Sequence, residues 1–223
     1  MQYRREWKHP ITYMDMMILR QRLQTVMRPD THATDGRYLI RSLYFDTPGD
    51  TALREKVDGV SRREKFRIRY YNYDTSFIRL EKKRKLAGLG NKQSAPLTAR
   101  QAQSIVDGDL DWMLTSEHGL IRELYSKMRT QQLRPKTIVD YTRDAFVYPP
   151  GNVRVTLDYD IRTGLGSTDF LNPDCPTVPA GDGAIILEVK WDAFLPDTIR
   201  SAIQLENGRA TAFSKYAQCR MYG

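Results

Sequence analysis

The stretch Lys65-Phe66-Arg67-Ile68-Arg69 alternates basic and apolar side chains without a break. Period-two alternation fits an extended strand, which sends successive side chains to opposite faces, and fits no helix. Lys65, Arg67 and Arg69 therefore share one face, with Phe66, Ile68 and Tyr70 on the other. The pattern recurs along the chain. Residues 78–85 put Arg79, Glu81, Lys83 and Lys85 on one face. Residues 153–160 set Arg154, Thr156, Asp158 and Asp160 against Val153, Val155, Leu157 and Tyr159. Residues 185–192 set Ile186, Glu188, Lys190 and Asp192 against Ile185, Leu187, Val189 and Trp191. The first strand carries Arg4, Glu6 and Lys8 on one side, and Tyr141 shares a face with Arg143.

A single polar face ordinarily looks at water. Repetition weakens that reading here, because Arg and Lys return at alternate positions and are joined by Glu in Glu6-x-Lys8, Glu81-x-Lys83 and Glu188-x-Lys190. Such a sheet can curl into a barrel with charged faces inside and apolar faces under helices. Many buried like charges are prohibitive unless a polyanion or counterions fill the space. A linear chain of phosphates meets that demand. The 35 Lys and Arg against 27 Asp and Glu, a net +8, also favour an anionic partner.

The coarse reading is mostly β with helices at intervals. Strands are expected near Tyr3–His9, Tyr38–Phe45, Arg62–Tyr73, Thr75–Lys85, Thr137–Tyr148, Val153–Ile161 and Ala184–Asp192. Asn72–Asp74 reads as a hairpin turn, and AGLGN (87–91) as a glycine turn ending its strand. Pro10 is expected to open a helix over Ile11–Met27, and Thr98 to cap another. Helical segments are also expected at Thr51–Val57, over Leu110–Arg129, and from Pro196 to about Asn207-Gly208. The Gly-, Pro- and Asp-rich residues 162–183 read as a functional lid or a mobile stretch. Strands linked by short turns pair antiparallel, giving an α+β fold. Cys175 and Cys219 fit no metal spacing and read as free thiols. No apolar run has the length of a membrane span, and no signal core follows the N-terminus, so a cytoplasmic protein is expected.

Seven segments in order, SLYFDT (42–47), KFRIRYY (65–71), RLEKKRK (79–85), DYTRDAF (140–146), VRVTLDYDI (153–161), ILEVKW (186–191) and FSKY (213–216), resemble the VTC domain. This is the polyphosphate polymerase domain of the vacuolar transporter chaperone type, a triphosphate tunnel metalloenzyme related to the CYTH proteins. The resemblance covers nearly all of residues 1–223, read as one tunnel domain. It implies an antiparallel β-barrel flanked by helices, ATP as donor, inorganic polyphosphate as product and a divalent metal, Mn2+ or Mg2+. It implies catalytic roles for Arg67, Lys190 and Lys215. Phosphate contacts are implied for Lys8, Lys56, Arg69, Lys83, Lys92, Tyr141, Arg143, Arg154 and Ser214, and metal binding for Glu188 and Glu6. Two departures stand out. CYTH proteins open with ExExK, and here Arg4 replaces the first acid. A basic residue often precedes FSK, and here the position is Ala212, with Arg209 as a substitute.

Phosphoryl transfer rests on positioning and charge neutralisation, for which bidentate Arg and point-charge Lys suit phosphate oxygens. No Walker A, GxSxG or HExxH motif is present, and His9, His32 and His118 are scattered. Lys82 and Arg84 equally fit a solvated outer face. Two other functions stay open at this point. One is a triphosphatase or polyphosphatase using the same tunnel. The other is a non-catalytic polyanion-binding module. Nucleic acid is the weaker partner because it leaves the Glu-x-Lys repeats unexplained, and a membrane-bound partner protein stays open.

Overall fold

The computed structural model describes residues 4–31, 33, 36–86, 89–205 and 213–221. In chain order these form β1 (Arg5–Ile11), α1 (Tyr13–Val26), β2 (Arg28–Pro29), β3 (Arg37–Asp46), α2 (Thr51–Val57), β4 (Arg62–Tyr71), β5 (Asp74–Leu86) and β6 (Leu89–Leu97). There follow α3 (Ala99–Asp107), α4 (Gly119–Thr130), β7 (Arg134–Tyr148), β8 (Val153–Thr163), β9 (Val178–Pro179), β10 (Ile185–Trp191), α5 (Asp197–Ala202) and α6 (Lys215–Cys219). The chain divides into two compact units. The first holds residues 1–39, 141–161 and 181–213, and the second 40–140, 162–180 and 214–223.

In the first unit the strand order is β1-β10-β8-β7, with antiparallel ladders from β1 to β10 and from β10 to β8. The alternation works as expected. Val153, Val155, Leu157, Leu187, Val189 and Trp191 pack against Leu19 and Leu23 of α1 and Ile199 of α5. Pro10 does not open a helix; it pairs with Ile186 inside β1. As the terminal strand of this order, β1 tolerates a residue that lacks an N–H. Thr12 starts α1 instead. Its hydroxyl accepts from Asp15 N (3.1 Å), and Asp15 accepts from Thr12 N (3.0 Å).

In the second unit the order is β7-β3-β4-β5-β6, with antiparallel ladders along β3-β4-β5-β6. Phe66, Ile68, Tyr70, Ile78 and Leu80 form its core with Ile105, Ile121 and Leu124 of the covering helices. The β4–β5 hairpin turns at Asn72 and Tyr73, at φ 49° and 55°, the left-handed pair that a tight two-residue hairpin needs. Thr98 caps α3 as expected, and Gly108 ends it at φ 83°.

The differences from the sequence reading have physical causes. Strand β6 was unexpected, because LGNKQSAPL lacks alternation and contains Pro96. Its ladder with β5 forms the strand, at the end of the order where proline is tolerated. Of the glycine turn expected over 87–91, residues 87–88 lie outside the described residues, and 89–91 belong to β6, paired with β5. The region 110–129 splits into a short 3-10 turn, Asp111–Thr115, and α4, with His118 at the N-cap position. Residues 164–180 are no open lid. Phe170 and Cys175 are buried in the core, Tyr70 Oη donates to Phe170 O (2.8 Å), and Arg41 donates to Asn172 O. Described helix α5 spans Asp197–Ala202, and the end expected at Asn207-Gly208 lies outside the described residues, as do His32, Arg209 and Ala212. Lys82 is not solvated. Helix α4 covers it and supplies Glu123, Glu64 lies 3.2 Å away, and Lys127 also pairs with Glu64. Both cysteines are free and buried. Among the described residues, no helix is long and apolar enough to cross a membrane.

Candidate phosphate-binding clusters

Each unit gathers charged side chains on the sheet face opposite its core. In the first unit the register sets Glu188 between Lys8 on β1 and Thr156 on β8, and Lys190 between Glu6 and Arg154. Glu188 is the centre of this cluster. Its Oε1 lies 2.7 Å from Lys190 Nζ and 3.4 Å from Lys8 Nζ, and its Oε2 lies 3.3 Å from Arg143 Nη2. Both lysines also reach Glu6 Oε1, at 3.7 Å for Lys8 and 3.5 Å for Lys190. Arg143 grips Asp158 through two bonds (2.6 and 2.8 Å) and lies over the Tyr141 ring. Burial opposes the charge on Glu188, yet Lys190, Lys8 and Arg143 outweigh it and hold the carboxyl well below its usual range. Burial likewise opposes the charge on Lys8, and Glu188, Glu6 and Asp158 together raise its pKa above that of an ordinary lysine. Arg154 pairs with Asp30 at 2.9 Å. Arg4, in place of the first acid of ExExK, pairs with Asp192 at 2.8 Å.

In the second unit Glu81 occupies the matching role. Arg67 reaches its Oε2 through Nη2 (2.6 Å) and Nε (2.8 Å), Arg69 Nη1 lies at 3.9 Å, and Lys92 pairs with Oε1. Burial opposes the charge, but these three cations keep the Glu81 carboxyl far below its usual value. Arg69 Nε also donates to Ser42 Oγ (2.9 Å), and Arg67 Nη1 to Tyr44 Oη (2.8 Å). Burial works against a Tyr44 phenolate, yet Arg67 and Arg69 bring its pKa down to about 8. Arg67→Met is therefore expected to move the Tyr44 titration back toward 10, read from phenolate absorbance in the near ultraviolet. An unchanged midpoint contradicts this coupling.

Of the other residues singled out in the sequence, Lys83 is exposed and stands beside Lys92 in the β5–β6 ladder. Lys56 lies in the last turn of α2, and Lys215 opens α6. Ser214 is the α6 N-cap, accepting from Ala217 N at 3.3 Å. The structure adds Lys65, Glu81, Tyr44 and Asp158 to the residues implied by the sequence. The alternation that placed Arg67 and Arg69 was enough to find Lys65 and, in its own strand, Glu81. Burial pushes the Cys219 thiol up to about 12, which leaves it no nucleophile.

Among the described residues, no group of three or more His, Cys, Asp or Glu is placed to hold a metal. Glu188 and Glu6 still share the same two lysines, so the two carboxylates lie close to the same point. One or two carboxylates with phosphates completing the sphere is the usual grip on a hard divalent cation. The donor set fits a metal that arrives with phosphate and does not form an all-protein cage.

The VTC domain family matches residues 3–222. No curated protein matches the sequence. Among solved structures, the chain is similar to a candidate adenylate cyclase from Bacillus halodurans, with 14% identity and a TM-score of 0.54, covering 85% of this chain and 80% of that one. It is also similar to a candidate adenylyl cyclase from Hippeastrum, described as having a dominant triphosphatase activity. That match has 12% identity and a TM-score of 0.54, covering 90% of this chain and 83% of that one. These likenesses are of fold, and they bear out the expected α+β class, an antiparallel sheet flanked by helices.

Proposed function

Because the chain belongs to the VTC domain family, we propose that it is a polyphosphate polymerase, transferring the γ-phosphate of ATP to a growing polyphosphate chain. The observation that carries this reading is the pair of charged clusters, each built of several cations that converge on a buried carboxylate, Glu188 in one and Glu81 in the other. A central carboxylate that holds three cations in place pre-forms an anion site, since a phosphate competes for cations that are already positioned. Arg67, Arg69, Arg143 and Arg154 offer planar forks to phosphate oxygens, while Lys8, Lys92, Lys190 and Lys215 offer point charges. Tyr141 orients Arg143, and Ser214, Lys56 and Lys83 extend the phosphate contacts. A divalent metal, Mn2+ or Mg2+, would be held by Glu188 and Glu6 and, when bound, neutralises charge on phosphate oxygens. The terminal oxygen of the acceptor chain attacks the γ-phosphorus, the bond to the β-phosphate oxygen breaks, and its electron pair leaves with ADP. The protein supplies no nucleophile in this scheme. The pairing of Arg4 with Asp192 leaves Glu6 and Glu188 without the first acid of the CYTH pattern, which favours synthesis over a CYTH-type hydrolase.

The test is to incubate the protein with ATP and manganese, with and without a short polyphosphate primer, and to follow ADP, free phosphate and chain length together. ADP with growing chains is the expected result. Free phosphate without chain growth makes the protein a triphosphatase. Polyphosphate binding with no turnover leaves a binding module.

A further inference from the structure

Every cation at the centre of the two clusters touches a carboxylate, and Lys65 breaks the pattern. It belongs to the basic row on β4, and its side chain is half-buried. Its partners are the Ser214 hydroxyl, at 3.3 Å, and the face of Tyr216, 5.0 Å to the ring centroid. Among the described residues it makes no ion pair with an acid. The surroundings add to the cost. Lys56 on α2 and Arg63 on β4 repel its charge, and Lys83 on β5 is its cross-strand neighbour. On β3, Tyr44 stacks on Tyr216 at 5.0 Å, and Asp46 is engaged by the Tyr216 hydroxyl at 2.5 Å and by the first amides of α2. Burial, Lys56 and Arg63 outweigh the attraction of Tyr44 and Asp46 and bring Lys65 down to about 8. A half-buried ammonium held by a hydroxyl and a ring, with like charges around it and no acid in ion-pair contact, is stabilised when an anion joins it.

We infer that Lys65 is a phosphate-binding residue whose missing counter-ion is a phosphoryl group of the substrate, so that polyphosphate binding draws a proton onto this side chain. The inference rests on the proposed function, because it takes a phosphate chain as the ligand. Its consequence is a proton linkage. Near a pH of about 8 the amine is part-neutral without ligand. An anion beside it favours the ammonium, so binding takes up protons from solution. Ser214 acquires a second role, since its hydroxyl both caps α6 and orients the ammonium. Lys65 thereby extends the basic row of Arg67 and Arg69 by one phosphate contact.

The test is calorimetric titration with long-chain polyphosphate, without metal or ATP, in two buffers of different ionisation enthalpy at a pH of about 8. Internal phosphates of a long chain stay ionised there, so the protons counted belong to the protein. The wild type is expected to bind with net proton uptake. Lys65→Arg is expected to keep the affinity and lose most of the uptake, because arginine stays charged. Lys65→Met is expected to lose the uptake and to bind about tenfold or more weakly. Tyr44 titrates in the same range, so Tyr44→Phe serves as the control and is expected to keep the uptake. Uptake that persists in Lys65→Arg and vanishes in Tyr44→Phe places the proton on the phenol and overturns the assignment. Uptake absent from a wild type that binds overturns it as well, while leaving the phosphate reading intact. A wild type that binds no polyphosphate overturns both. Thermal unfolding of each variant without ligand separates lost binding from lost structure.

Discussion

Glu188→Gln is expected to lower phosphoryl turnover by about 100-fold or more, the scale seen when one pre-positioned electrostatic group is lost from an active site. The substitution keeps the shape of the side chain and removes its charge. Lys8, Lys190 and Arg143 then face one another without the carboxylate they share. Glu188→Ala is expected to go further and cost about 1–3 kcal/mol of stability, because it removes one of the two acids that each of these cations touches. The two effects separate by measurement. Turnover is followed as ADP release, and stability by chemical denaturation with and without polyphosphate. A phosphate chain replaces the lost negative charge, so added polyphosphate is expected to restore part of the stability of Glu188→Ala and none of its turnover. Wild-type turnover in Glu188→Gln contradicts the role given to this carboxylate. The same carboxylate sets an acid limit. Its pKa is lowered by folding, so its stabilisation is complete above the ordinary glutamate value and is lost as the pH falls toward the folded one.

The second large effect lies outside the two clusters. Arg41 and Asp140 are joined by bonds of 3.0 Å from Nε and 2.8 Å from Nη2, and their side chains are 2% and 4% exposed. Arg41 also donates to Asn172 O and lies over the Tyr73 ring, which ties the stretch after β8 to β3. Asp140→Ala strands a buried guanidinium and is expected to cost about 3–5 kcal/mol in denaturant unfolding. Replacing both partners with apolar residues, as Arg41→Met with Asp140→Leu, removes the stranded charge and is expected to cost much less. Equal losses in the single and double variants contradict the reading that the unpaired charge, rather than lost packing, dominates.

Side-chain alternation carries much of this fold. It assigned the apolar faces of β4, β8 and β10 and put Glu188, Lys190, Arg67 and Arg69 on the opposite faces, where the structure has them. Thr98 was legible because capping is a local matter of one side chain and the amides that follow it. What alternation missed depends on tertiary cover. Lys82 looks like a solvated lysine until α4 brings Glu123 onto it. The stretch 164–180 has the composition of an open loop, and the buried side chains of Phe170 and Cys175 anchor it to the core. Strand β6 has no pattern of its own and takes its register from β5. Lys65 was visible in the pattern, yet its lack of an acidic partner depends on residues far away in sequence, namely Ser214 and Tyr216.

The most direct test of whether both charged faces bind phosphate is amine footprinting with and without long-chain polyphosphate, read lysine by lysine. The expected result is protection of Lys8 and Lys190 in the first unit and of Lys65 and Lys92 in the second, with Lys127 and Lys136 unchanged. Unaltered reactivity at those four lysines, or protection spread equally to Lys127 and Lys136, would contradict it.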